Sequence, residues 1–271
     1  MKNIIIYTDL DGTLLEHKTY SFDDASEALR LVRMKKIPLI IVSSKTRAEI
    51  EYYRKKLQNN DPFVSENGGG IFIPSDYHLD IPLPEGAEKI NGYYLIKIGT
   101  EYSKLREILK KLQRDGFNVK GFGDMTEEEL ARLTSLPPHE ASLCKKRDFD
   151  EPFVFYGSEE ELNALIELVK EHGYNYTAGV YHHITGNNDK GKAVEILTTL
   201  YKSLFKNILT VGLGDSLNDL EMLKKVDIPV VIKKPDGSYD NELLKIEGII
   251  KTVEPGPKGW QQAIKKILNM V

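Results

Sequence analysis

Short runs of consecutive apolar residues recur along this chain. Each is followed by a stretch whose apolar residues fall three and four positions apart. Ile4-Ile5-Ile6-Tyr7, Leu39-Ile40-Ile41-Val42 and Phe63-Val64 read as buried strands. Between them, Ser21-x-x-Asp24 opens a helix with Ala25, Ala28, Leu29 and Val32 on one face, closed by Ile37-Pro38. Thr46-x-x-Glu49 has the spacing of a capping box and starts a second helix carrying Ile50, Tyr53 and Leu57. The order β-α-β-α-β is that of a parallel sheet with crossover helices. Gly68-Gly69-Gly70 has neither nucleotide-loop spacing and reads as a turn into a hairpin that includes Ile71-Phe72-Ile73.

Pro74, Pro82, Pro84 and Gly86 then punctuate a loop-rich segment. Beyond it the texture changes. Half-buried strands (Tyr93 to Ile98, Phe117 to Phe122, Phe153 to Tyr156, Tyr174 to Thr177 and Val180 to Thr185) are interspersed with helices. One helix buries Tyr102, Leu105, Leu109 and Leu112. Another is capped by Thr126-x-x-Glu129, a short one follows Pro137-Pro138, and Ser158-x-x-Glu161 starts a fourth. From Asp189 the parallel pattern returns: a helix over 190–204, a strand over 207–212 ending at Gly214-Asp215, a short helix from Leu217 to Leu223 and a strand from Ile228 to Ile232. A helix near Tyr239 to Leu244, a strand at Ile249-Ile250 and a last helix from Gly259 to Met270 complete the chain. The expected architecture is α/β: a doubly wound parallel-sheet core of three layers, α/β/α, with an inserted α+β cap domain. The expected division is core over 1–82, insert over 83–186 and core again over 187–271.

Composition narrows the function. The 271 residues suffice for two domains, and a net charge of −4 gives no basic footprint for nucleic acid. No apolar run has the length of a membrane span. Met1-Lys2-Asn3 leads straight into a strand without a signal peptide, so a cytoplasmic location is expected. Cys144 stands alone, which excludes an internal disulfide and a cysteine-based zinc site. Oligomeric state is not written in the sequence.

The chemistry begins at the end of the first strand, where Asp9 and Asp11 stand one residue apart before Gly12-Thr13. Ligands of open parallel sheets bind beyond the carboxyl ends of the strands, where both would emerge. Taken alone, D-x-D is as readily a solvated turn. It is not a calcium loop, since Leu14 and Tyr20 occupy the glycine and glutamate positions. What raises the functional reading is that other polar sites occupy matching places: Ser43 after the second strand, Lys190 opening a helix, and Asp215, Asn218 and Asp219 after a late strand. Carboxylates and waters make an oxygen-rich site for Mg²⁺, and a carboxylate can act as a nucleophile toward phosphorus. A transferring phosphoryl group needs its oxygens held by donors of the Ser43 and Lys190 types.

Asp9-Leu10-Asp11-Gly12-Thr13-Leu14, Ser43, Lys190-Gly191 and Gly214-Asp215-Ser216-Leu217-Asn218-Asp219 resemble, in order, the four motifs of the haloacid dehalogenase (HAD) phosphatase superfamily. The resemblance implies Asp9 as nucleophile and Asp11 as acid and then base. It also implies Mg²⁺ held by Asp9, the Asp11 backbone carbonyl and Asp215, with Asp219 behind them, and phosphate held by Ser43, Lys190 and Asn218. Asp11 separates the chain from the transport-ATPase branch, which carries threonine there. Val42 to Glu49, Pro62 to Gly68, Gly121-Phe122-Gly123-Asp124-Met125 and Arg147-x-x-x-Glu151-Pro152-Phe153 are similar to the mannosyl-3-phosphoglycerate phosphatase family, with Ser43 where threonine is usual and Ser65 at a position usually apolar. That resemblance implies a small phosphorylated-sugar substrate and formation of mannosylglycerate, a compatible solute. The alternatives are a phosphatase or phosphosugar mutase acting on another sugar phosphate, or a non-enzymatic switch phosphorylated on Asp9.

Other residues weigh less. Arg147 has the geometry to read a glycerate carboxylate, and Ser44 and Lys45 lie near the phosphate end. Each has a plainer reading as surface charge or helix-start decoration. In His182-His183 the alternation of a strand points one ring inward. Asp189 reads as a helix N-cap, and Trp260 as the anchor of the last helix.

Overall fold

The computed structural model describes residues 3–270. Its larger sheet has nine strands: β1 (Asn3–Thr8), β2 (Leu39–Val42), β3 (Phe63–Ser65), β4 (Gly70–Pro74), β5 (Glu88–Ile90), β6 (Tyr93–Lys97), and, after the insert, β11 (Ile208–Gly214), β12 (Ile228–Lys233) and β13 (Ile250–Pro255). Their order is β13-β12-β11-β1-β2-β3-β4-β6-β5. The first six run parallel, and β4, β6 and β5 add an antiparallel edge.

Alternation along the buried strands builds three layers. Ile6, Ile41, Val211, Leu213 and Val230 face α1 (Ser26–Met34), α2 (Arg47–Leu57) and α9 (Gly256–Met270). Ile5, Tyr7, Ile40, Val42 and Val231 face α7 (Lys190–Leu204) and α8 (Leu220–Lys224). Thr46 accepts from the Glu49 N–H while the Glu49 carboxylate accepts from the Thr46 N–H, so the predicted capping box forms and fixes the start of α2.

The insert has its own sheet, in the order β7-β8-β10-β9, from β7 (Val119–Gly121), β8 (Asp150–Phe155), β9 (Asn175–Ala178) and β10 (His182–Thr185). Helices α3 (Tyr102–Arg114) and α6 (Glu159–Glu171) cover one face with Leu105, Leu109, Leu112, Leu165 and Val169. Helices α4 (Glu127–Thr134) and α5 (Pro138–Cys144) form a separate small cluster with Phe122, Met125 and Leu130.

The structure departs from the sequence reading in four places. The helix expected from Ser21 is first a 3₁₀ turn, Asp23–Ala25, and α1 starts at Ser26 without a side-chain cap. Residues 83 onward were expected in the insert, but β5 and β6 hydrogen-bond into the larger sheet. The cause is β6 itself: Leu95 joins one core layer while Tyr94 and Ile96 join the other, which continues the two-faced alternation past β4. The helix expected near Tyr239 to Leu244 is a single 3₁₀ turn, Leu243–Lys245. There the Asp240 carboxylate accepts from the N–H of Glu242 and of Leu243, a local bond that competes with helix propagation. The last helix begins at Gly256, directly after a strand longer than expected.

Trp260 anchors that helix. It is fully buried, and its Nε1 donates to Thr8 Oγ1 at 3.0 Å, directly beneath the end of β1. Trp260→Ala is expected to destabilise the fold by about 3–5 kcal/mol, visible as a lowered midpoint of urea unfolding with unchanged slope. A loss under about 1 kcal/mol would mean the helix is held elsewhere. Among the described residues no helix is long and apolar enough to cross a membrane.

Candidate active site

The strand order reverses at β1, with β11 on one side and β2 on the other. Crevices at such points are where α/β sheets bind ligands. β1 ends in Asp9 and β11 runs into Asp215, so two carboxylates distant in the chain meet there. One carboxylate oxygen each from Asp9, Asp215 and Asp219 lies within 4.8 Å of the others. Gly12 lets the chain turn, with φ +76°, and a Cβ there would stand 2.8 Å from Asp215 Oδ2. Thr13 Oγ1 donates to Asp215 Oδ1 at 3.4 Å.

Lys190, at the first turn of α7, lies behind this group and is wholly buried. Its Nζ stands 2.6 Å from Asp9 Oδ1 and 2.6 Å from Asp219 Oδ1. The other Asp219 oxygen accepts from the N–H of Asp215 and of Ser216. Both Asp219 oxygens are thereby engaged in holding the site together. Burial pushes Asp9 well above the usual carboxylate range, with Asp219, Asp215 and Asp11 adding like charge against the pull of Lys190. Burial, and then Asp219, pushes Asp215 up to about 7. Crowded carboxylates of this kind fit a small divalent cation, which relieves their repulsion and prefers oxygen ligands.

Asp11 sits at the edge of this group. Its Oδ2 is 3.1 Å from Lys45 Nζ, and its Oδ1 is buried without a hydrogen-bond partner. Lys45 is itself buried, 3.5 Å from Glu49 Oε1 and 5.0 Å above the Tyr20 ring. Burial alone would drive its ammonium down, but Asp11 and Glu49 hold it well above the usual lysine range. Lys45 is therefore no surface decoration.

A cavity of about 240 Å³ opens over Asp9, Asp11 and Asp215 and continues between core and insert. Ser44, Lys45 and Asn218 line it from the core, and Arg147, His183 and Phe122 from the insert. Ser43, Lys190 and Asp219 are fully buried, each bonded to a residue of its wall: Ser43 to Lys45, Lys190 to Asp9 and Asp219 to Asp215. The Ser43 hydroxyl accepts from the Lys45 N–H at 3.2 Å, at the end of β2. Asn218 Nδ2 donates to Asn67 Oδ1 at 3.1 Å.

Sequence reasoning missed the polar seam that ties the insert to the core. Glu66 is fully buried, and its carboxylate accepts from the N–H of Asp148 and of Phe149, where the chain returns from the insert's helices. Burial first, with Asp150 adding like charge, pushes Glu66 up to about 8. Asn67 Nδ2 donates to Asp150 Oδ2 at 2.8 Å. Arg147 Nη1 donates to the Ser44 carbonyl at 3.2 Å and lies 3.7 Å from Asp150. Glu66 and Asn67 both have positive φ. Asparagine beside Gly68-Gly69-Gly70 was the one available signal, since it tolerates that conformation. Gly68 is required there, because a Cβ would stand 2.1 Å from the Asp189 carbonyl.

The sequence profile of the haloacid dehalogenase-like hydrolases matches residues 6–237. The chain belongs to that family. This hydrolase is 48% identical over 268 residues to a protein of Methanococcoides burtonii, covering 98% of the one and 97% of the other. It is 43% identical to one of Persephonella marina, over 99% and 98% of the two chains. Both are named glucosyl-3-phosphoglycerate/mannosyl-3-phosphoglycerate phosphatase. A Pyrococcus horikoshii relative, 36% identical over 84% of this chain and 90% of its own, is named mannosyl-3-phosphoglycerate phosphatase. The fold also matches a crystal structure from Thermoplasma acidophilum with a TM-score of 0.68, 16% identity and 99% of each chain covered.

Proposed function

We propose that this HAD-family hydrolase is a Mg²⁺-dependent phosphomonoesterase. On this reading it converts mannosyl-3-phosphoglycerate to mannosylglycerate and phosphate, and accepts the glucosyl analogue too. The observation that carries it is the cavity on which Asp9 and Asp11 of the core meet Arg147 and His183 of the insert. The names of the relatives supply the substrate.

Asp9 attacks phosphorus, and the bond to the glycerate oxygen breaks as Asp11 gives that oxygen its proton. The product leaves and an aspartyl-phosphate stays on Asp9. Asp11, now a carboxylate, takes a proton from water, which attacks phosphorus and frees phosphate and Asp9. Lys45 keeps the Asp11 side chain turned toward the leaving oxygen. Lys190 balances charge on Asp9 before transfer and on its phosphoryl group afterwards. Ser43 and Asn218 hold phosphate oxygens. Arg147 Nη2 has no partner among the described residues, and with Ser44 it receives the glycerate carboxylate. Asp9, the Asp11 carbonyl and Asp215 would hold Mg²⁺, which supplies Lewis-acid neutralisation of the phosphoryl oxygens when bound.

The test is phosphate release from mannosyl- and glucosyl-3-phosphoglycerate, 3-phosphoglycerate, mannose phosphates and sucrose phosphate, with Mg²⁺ and with chelator. Strong preference for the glycosylated phosphoglycerates, lost on chelation, is the expected result. Weak, even activity across the panel would remove the substrate. Phosphoryl exchange between sugars without phosphate release would replace hydrolysis with a mutase reaction.

A further inference from the structure

The cavity wall has two textures. Asp9, Asp11, Lys45 and Asp215 of the core are charged. The insert adds an apolar stretch: Phe122, Leu133, Leu136, Val180 and Tyr181. Phe122 and Tyr181 meet edge to face, with centroids 5.0 Å apart. Tyr181 Oη donates to the Leu133 carbonyl at 3.1 Å, which fixes its ring. Val180, at the tip of the β9–β10 hairpin, is 63% exposed although it lines this wall. An exposed branched aliphatic side chain over a cavity is surface that a ligand's apolar face can cover.

Phe122 is held by more than packing. It begins a 3₁₀ turn, Phe122–Asp124, whose two flanking groups are locked by ions. Arg106 bridges Asp124 and Glu151, and the Gly123 N–H donates to Glu151 Oε1 at 3.2 Å. A Cβ on Gly121 would meet Glu151 Oε1 at 2.0 Å, so that carboxylate closes directly on the glycine backbone. The Gly121-to-Met125 motif and Glu151 thus set the position of one aromatic ring.

A cationic and a polar group of the insert share the cavity with this wall: Arg147, 5.8 Å from the Phe122 ring centroid, and His183. His183 is 4% exposed and lines the cavity, and its Nδ1 lies 2.9 Å from Asp150 Oδ2 and 3.0 Å from Oδ1. With Nδ1 committed to the Asp150 carboxylate, Nε2 is the ring's other hydrogen-bonding atom. Nε2 has no hydrogen-bond partner among the described residues. Asp150 cannot swing away, since Asn67 donates to it and Arg147 lies beside it.

From this we infer that Phe122, Tyr181 and Val180 with His183 form a glycosyl subsite: the apolar wall takes the C–H face of a hexose ring, and His183 Nε2 pairs with one of its hydroxyls, which can donate or accept. A pyranose has both features the subsite offers, a face of C–H groups and a rim of hydroxyls. Asp150 is a positioning residue for His183. The inference rests on the proposed phosphatase reading and adds the place of the sugar.

The test compares His183→Phe and Phe122→Leu with the unmodified full-length protein, using kcat/KM for mannosyl- and glucosyl-3-phosphoglycerate divided by that for 3-phosphoglycerate. His183→Phe keeps a ring and removes its hydrogen-bonding nitrogens. This ratio is expected to fall about 10–100-fold, chiefly through KM, as for a lost buried hydrogen bond to substrate. Phe122→Leu keeps an apolar side chain and removes the ring face, and the ratio should fall about 3–10-fold. Circular dichroism melting identifies a variant that fails to fold, in which case the other decides. A ratio within twofold of the unmodified protein in the folded variants, or equal losses on both substrate types, overturns the subsite. If the unmodified protein itself prefers sugar phosphates lacking glycerate, the phosphoglycerate reading fails. The subsite is then judged by the same ratio, taken between mannose 6-phosphate and glycerol 3-phosphate.

Discussion

Asp9→Asn abolishes turnover on the order of 10⁴-fold or more while the protein stays folded. The amide has no charge with which to attack phosphorus, so the covalent step cannot begin. The fold tolerates the change because Lys190 keeps Asp219 as an ion partner at 2.6 Å, and the amide oxygen can still accept from it. Phosphate release and a thermal melt on the same preparation check both halves of this expectation. Activity within about 100-fold of the unmodified protein would mean that water, not Asp9, attacks phosphorus.

The second large effect is at Asp11, and it depends on the leaving group. Asp11→Asn leaves the attack by Asp9 possible but removes the proton donor and, later, the base. For an alkyl phosphate such as a phosphoglycerate, the loss is expected to be about 10²–10⁴-fold, the range for a positioned acid or base. p-Nitrophenyl phosphate needs no proton on its leaving oxygen, so its first step survives while hydrolysis of the phosphoenzyme slows. The variant should then release one equivalent of nitrophenol per chain in a burst and hold phosphate on Asp9. Rapid quenching followed by mass measurement of the intact chain would detect it. Equal slowing of both substrates with no burst would show that Asp11 acts only through structure, for instance by anchoring Lys45.

Asp9 and Asp11 are legible in the sequence alone. Asp9 and Asp215 follow buried strands, and a parallel sheet can place such ends only along one edge. That is why three-layer topology and the core of the site came from pattern. Capping boxes at Thr46, Thr126 and Ser158 were equally local and all formed. What did not read was whatever depends on pairing across layers. Lys45 reads both as a phosphate-end residue and as a helix-start charge, because nothing near it in sequence shows Asp11 arriving from another strand. Glu66, Asp150 and His183 come from three elements, and no periodicity links them. β6 was assigned to the insert because its half-buried texture is real: it has the open side of β4 on one hand and the exposed edge strand β5 on the other.

One feature of the topology bears on how the protein is made. β1 pairs in register with β11 from Asn3↔Ile208 to Thr8↔Leu213, so the first strand waits for nearly the whole chain before its second neighbour exists. Closing such long loops slows folding, and β1 meanwhile offers an open, strongly apolar edge to other chains. During synthesis the insert can complete its own sheet before β11 leaves the ribosome. The insert thus forms ahead of the site it roofs, and the catalytic carboxylates meet only in the final stage of assembly. Polypeptides truncated before residue 208 would hold a formed insert on an open, sticky half-sheet and no phosphatase activity. For this architecture, premature termination yields an aggregation-prone fragment and never a partly active enzyme.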